Sequence, residues 1–249
     1  MRGVAVSRTS VIAAVAVFAA GIATALLLVS VLGSGGDGAS RATTAGASRA
    51  AGATAGVSGA ADTAALLRGV PQRLNELGSP RAPVTMVEFA DLQCPFCRDF
   101  SLRTLPMIID GYVRPGKVRL VFAGIAFIGP ESQTALRATY AAGLQGRLWD
   151  FVDLLYRNQG AENSGWVTDP LLRSVGEAIS GFDAGAMLAA RNSPEVNAAI
   201  VATDRQSTSA HVDSTPTFFA GPTGGTLQRI GVGALRPAAV RAALDKLVK

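Results

Sequence analysis

The only two cysteines of this chain stand in Cys94-Pro95-Phe96-Cys97, close behind the apolar run Val84-Thr85-Met86-Val87-Glu88-Phe89. Such a run, entered after Pro83, reads as a buried strand. Pro95 suits the first turn of a helix, where its missing N–H costs nothing. The segment therefore predicts a strand that turns at once into a helix, with Cys94 at the helix start. There the unpaired backbone N–H groups and the positive end of the helix dipole favour an anion.

That placement matters because the thiolate, not the thiol, is the nucleophile, and helix N-termini and CxxC spacing both lower a thiol pKa. Two intervening residues bring Cys97 about one helical turn later, close enough to form a small disulfide. Cys94 can then attack or be attacked, and Cys97 can resolve a mixed disulfide. The alternative is a structural disulfide or a pair of idle thiols. A ring this small stabilises by loop entropy far less than a long one. One CxxC and one histidine in the whole chain do not supply the four ligands of a structural zinc site, so no metal is expected.

The rest of the pattern places this pair in an α/β fold. Lys117–Ala123 alternates and then turns fully apolar, as a second central strand would. The helix from the CxxC should run toward Ile109 with a kink at Pro106. A helical block follows: Ser132–Gln145, Leu148–Asn158, Asp169–Ile179 with Asp169-Pro170 as N-cap and N1, and a helix from Ser193-Pro194 toward His211. Strands return at Thr217–Ala220 and Leu227–Gly231, and Arg236–Val248 reads as a last amphipathic helix, with Leu235, Val240, Leu244 and Leu247 available for one face. Strand–helix–strand implies a parallel pair, and the later short turn implies an antiparallel one. The sum is a mixed sheet with helices on both faces.

The first sixty residues differ from this domain. Residues 1–9 carry Arg2 and Arg8 and no acid, and residues 10–32 carry no charge and are dominated by Val, Ile, Ala and Leu. About 20 apolar residues cross a bilayer as a helix. The flanking arginines predict a cytoplasmic N-terminus and an extracytoplasmic remainder. A cleaved signal peptide is the alternative, but its apolar core is shorter, and the best small-residue site, Ala45-Gly46-Ala47, lies well past the run. Residues 33–63 are Gly, Ala, Ser and Thr with little to bury, and read as a flexible linker with a mean reach of roughly 30 Å. The net charge of +5 includes Arg2, Arg8, Arg41 and Arg49, and no basic cluster is interleaved with aromatics, so nucleic acid is not an expected partner.

VTMVEFADLQCPFC (Val84–Cys97) resembles the active-site strand and motif of the disulfide-bond-forming oxidoreductases related to the bacterial thiol oxidase DsbA. Ser214-Thr215-Pro216-Thr217-Phe218 resembles their cis-proline loop, and Gln145–Phe151 a stretch of their inserted helical domain. GVPQ (Gly69–Gln72), LGSPRAPVT (Leu77–Thr85) and NQGAENSG (Asn158–Gly165) look like the membrane-anchored actinobacterial members. The resemblance covers roughly Leu66 to Lys249. It implies a thioredoxin-like domain over residues 64–249 with a helical insertion at about 130–211. It also implies that Cys94 attacks, that Cys97 resolves, and that Pro216 is a cis-proline beside them. Thr215 would offer backbone hydrogen bonds to a substrate chain, with Pro95 and Phe96 as further substrate contacts. Glu88 matches a buried acid that moves the proton of the resolving cysteine; the alternative is an edge-facing salt-bridge residue. For Pro216 the alternative is an ordinary trans proline opening a strand.

The implied activity is oxidation of cysteine pairs in exported proteins, without a cofactor, by a monomer that a membrane quinone-linked thiol oxidase reoxidises. A reductase or isomerase, and a peptide-binding chaperone-like module, are the competing readings. One departure bears on the first of these. The most oxidising members carry His where this chain has Phe96, and Phe can neither carry charge nor hydrogen-bond a thiolate. His211 reads as helix-end surface, Asp91 as a loop residue, and Trp149, Phe151, Tyr156 and Trp166 as core of the helical block.

Overall fold

The computed structural model of the chain describes residues 56–231 and 236–249. The expected cytoplasmic stretch 1–9, the anchor 10–32, the linker as far as residue 55, and Leu235 lie outside the described residues. Among the described residues no helix is long and apolar enough to cross a membrane.

Helix α1 (Ala60–Leu67) begins inside the stretch read as linker, so the linker boundary at 63 is corrected. Its small residues carry little apolar surface, which is why composition hid it. Leu67 enters the main core, and tertiary hydrogen bonds add to its hold. Thr63 is buried, its hydroxyl donates to Asp153, and Arg157 binds the same carboxylate at 2.7 Å.

The sheet has six strands in the order β1-β2-β4-β3-β5-β6. Strands β1 (Gln72–Arg73) and β2 (Glu76–Leu77) form a short hairpin that the sequence pattern did not reveal. Strand β3 (Val84–Ala90) is central, and all seven of its residues are buried. Strand β4 (Val118–Gly124) runs parallel to it, and β5 (Thr217–Pro222) antiparallel on its other side. Strand β6 (Gln228–Ile230) pairs antiparallel with β5. The mixed sheet therefore follows the expected pairing.

Between β3 and β4 run α2 (Pro95–Arg103), α3 (Leu105–Ile108) and a π-helical turn, Ile109–Val113. The expected kink near Pro106 is present as an interruption at Thr104, whose backbone stays right-handed (φ −109°, ψ −42°) and whose N–H still donates to the Phe100 carbonyl. Pro106 has no N–H with which to continue the ladder of α2, and its ring crowds the preceding turn. The helical block comprises α4 (Pro130–Leu144), α5 (Leu148–Arg157), α6 (Asp169–Glu177), α7 (Ala184–Ala190) and α8 (Pro194–Ser209), inserted before β5. The cap of α6 is Thr168, which accepts from the Leu171 N–H, so the cap lies one residue before Asp169. Helix α7, too short for a clear periodicity, is capped by Asp183. Helix α9 (Pro237–Leu247) closes the chain, with Val240 and Leu244 buried.

The two faces of the sheet are unequal. Val84, Met86 and Ala90 of β3, with Leu120 and Phe122 of β4, join one large core with α2, α5 and α9. Phe122 packs edge-on against Trp149 of α5, with ring centroids 6.1 Å apart. The opposite face buries Val87, Phe89 and Ala123 in a small cluster against Ile125, Phe219, Leu227 and the residues just after α8, Ala210 and Val212. Period-two alternation in β3 sends its two sets of side chains to these two cores.

Candidate active site

Cys94 is the N-cap of α2, with extended backbone (φ −70°, ψ 120°), and Pro95 occupies the first turn. Its N–H donates to the Asp91 carbonyl and its own carbonyl accepts from Arg98, so the turn Asp91–Cys94 is closed as the helix begins. Both cysteines are thiols in this structure. The Cys94 thiol donates to the Thr215 carbonyl at 3.4 Å, which places the Ser214–Phe218 loop directly against it. The Thr215–Pro216 peptide is cis.

The two sulfurs are electrostatically unequal. Cys94 is lowered from 9.0 to about 6. The Cys97 thiol donating to it is the largest cause, and the Thr215 hydroxyl and the N–H groups of Cys97 and Phe96 add to that against the opposing effect of burial. Cys97, wholly buried, is pushed well above its ordinary value by burial first, then by the Cys94 thiolate and Glu88. An N–H of the Asp91 backbone pulls it weakly the other way.

Glu88 lies in the middle of β3, paired with Phe122 on one side and Phe218 on the other. It is 6% exposed, and its Oε1 has no hydrogen-bond partner. Desolvation, then the Cys94 thiolate, raises it from 4.5 to about 8. An edge-facing salt-bridge residue is therefore not what Glu88 is: it is a central-strand acid that burial and the Cys94 charge keep protonated at neutral pH.

The structure thus brings Glu88, Cys94, Cys97, Thr215 and Pro216 together. Pro95 is partly exposed, while Phe96 is 59% exposed and free to meet a partner. A cleft of 270 Å³ beside Pro95 is lined by Gln93, Arg98 and Gln159–Glu162. His211 is exposed just after α8, apart from this cluster.

Sequence reasoning missed the polar residues around the pair. Asp91, read as a loop residue, is fully buried. Gln159 donates to the carbonyls of Leu92 (2.9 Å) and Cys94 (3.2 Å). Asn163 donates its N–H to Gln93. The hydroxyl of Tyr156, a residue read as core, donates to the Asp91 carbonyl. A signal for two of these existed. Gln159 and Asn163 both fall in the Asn158–Gly165 motif that carries part of the family resemblance.

A family model described as Thioredoxin (Thioredoxin_4) matches residues 73–245. A probable disulfide bond formation protein D of Bacillus cereus is 39% identical over 101 residues, which are 40% of this chain and 47% of that protein. The chain thus spans about half the length of the curated relatives it matches. Among solved structures, oxidised BdbD from Bacillus subtilis superposes with a TM-score of 0.62 at 21% identity, over 72% of this chain and 97% of that one. A thioredoxin-like oxidoreductase from Silicibacter pomeroyi gives a TM-score of 0.53 at 26% identity, over 74% of this chain and 95% of its own.

Proposed function

The chain belongs to the thioredoxin family, and from that premise we propose that it is a thiol–disulfide oxidoreductase that oxidises cysteine pairs of exported proteins. The observation that carries this reading is the inequality of the two thiols, one at about 6 and its neighbour far above its ordinary value. A Cys94 thiolate this stable is a good leaving group, so the reduced form of the pair is favoured and the disulfide tends to oxidise others.

The chemistry balances as two exchanges. A substrate thiolate attacks Cys94 of the Cys94–Cys97 disulfide, forming a mixed disulfide and releasing Cys97. In this reading protonated Glu88, which is coupled electrostatically to both sulfurs, supplies the proton that the Cys97 thiolate takes up. A second substrate thiolate then attacks the substrate sulfur, closing the substrate disulfide and expelling the Cys94 thiolate. Two electrons pass from substrate to enzyme. The Thr215 backbone and the exposed Phe96, with Pro95 and Pro216, form the surface offered to the substrate chain. The disulfide bond formation proteins similar to this chain support the direction of transfer.

In this reading residues 10–32 anchor a monomeric domain on the outer side of the cell membrane. A quinone-linked thiol oxidase in that membrane takes up the electrons. Phe96 in place of histidine favours a weaker oxidant, which leaves disulfide reduction as the second reading. A Cys97→Ser variant tests the assignment in cells. Reduced exported proteins captured on Cys94 are the expected result; a variant that captures none would sink the proposal.

A further inference from the structure

Asp91 is fully buried, and a buried carboxylate is costly unless it is paired. Among the described residues no cation forms an ion pair with it. Four donors hold it instead. Oδ1 accepts from the Gln93 N–H at 2.8 Å and the Ser132 hydroxyl at 2.7 Å. Oδ2 accepts from the N–H groups of Phe127 at 2.7 Å and Ile128 at 2.8 Å.

These donors lie on three separate segments. Gln93 belongs to the turn that ends at Cys94. Phe127 and Ile128 belong to the loop after β4. Ser132 sits in the first turn of α4, where the helical insertion begins. The Asp91 carbonyl meanwhile accepts from Cys94 N–H and from the Tyr156 hydroxyl of α5. Gln93 extends the connection, donating to both Ser132 and Asn163. One side chain thus ties the redox turn to the sheet loop beside it and to the insertion.

The structure assigns Asp91 as the positioning residue of the redox pair, acting through the Asp91–Cys94 turn rather than by touching substrate. This inference rests on the redox reading of Cys94 and Cys97. A negative charge placed near a thiolate should only hinder it, so retaining a carboxylate here makes sense if its four bonds set the turn. An amide could not replace it, because its NH₂ group would face donors on one side or the other.

The test compares three variants of the full chain by the pH profile of thiol–disulfide exchange with a cysteine-containing peptide, alongside thermal midpoints. Besides Asp91 itself, the titratable groups facing Cys94 are Cys97, Glu88 and Tyr156, and none of these three is altered. Asp91→Asn removes the carboxylate, and Ser132→Ala removes one donor without changing charge. Thr139→Ala removes a buried hydroxyl of α4 that has no hydrogen-bond partner. Displacing the turn should lower the high-pH plateau rate about tenfold in Asp91→Asn and by a smaller factor in Ser132→Ala, with Thr139→Ala unchanged. A purely electrostatic role gives the opposite sign, a more acidic Cys94 and faster exchange at low pH, and would overturn the proposal. Lower midpoints with an unchanged profile would overturn it equally. If Asp91→Asn does not fold, the Ser132→Ala profile decides by the same criterion. A wild-type protein without exchange would overturn the redox reading and this assignment with it.

Discussion

Replacing Glu88 by glutamine should reverse the usual cost of altering a core residue. In the folded protein this carboxyl sits at about 8, against an ordinary 4.5. Between those values the unfolded chain is ionised while the folded chain keeps its proton. Stability therefore falls as pH rises, by about 1.4 kcal/mol per pH unit, and levels off once the pH passes about 8. From about pH 5 to about pH 7 the loss is about 2.5 kcal/mol. Cys94 contributes with the other sign. Its folded value is depressed to about 6, so it stabilises at higher pH and that contribution fades as pH falls through about 6. This second effect is common to both proteins and drops out of their difference. Urea unfolding of the reduced proteins at the two pH values is the assay. Glu88→Gln should gain about 2.5 kcal/mol on the wild type between them. Parallel pH dependence in the two proteins would refute the claim that Glu88 is buried and uncompensated.

Alkylation of the native dithiol should modify Cys94 with a midpoint near 6 while leaving Cys97 untouched through neutral pH, read by mass spectrometry of trapped samples. Phe96→His should lower the Cys94 midpoint further and make the disulfide more oxidising against glutathione, because His can donate to the thiolate; an unchanged equilibrium would show that this position does not tune the pair. Thr63→Ala should cost about 1–2 kcal/mol in urea unfolding, since it takes one donor from the buried Asp153 carboxylate. A neutral result there would detach α1 from the stability of the domain.

The central strand, the CxxC at a helix start and the helical block were legible because each leaves a local mark. An apolar run, a proline at N1 and spacings of three and four residues are properties of short segments. The pairing of β3 with β4 and β5 followed from the order of those segments. The β1–β2 hairpin left no such mark, since two-residue strands carry no periodicity. Helix α1 is short and Ala-rich, so it reads as a continuation of the small-residue stretch before it, and its polar anchors lie far along the chain, at Asp153 and Arg157.

The atoms that can do chemistry here are already written in the order of residues: two thiols, one turn apart, with a single acid in the strand behind them. How those atoms behave depends on the packing around them. Thr215 reaches Cys94 from 121 residues away, and Glu88 is raised because β4 and β5 close over it. Asp91 shows the same division. As a letter in the sequence it is an ordinary loop acid, and its four donors come from three segments that only folding brings together. A pKa and a hydrogen-bond network depend on distance and dielectric, and those are properties of the packed chain.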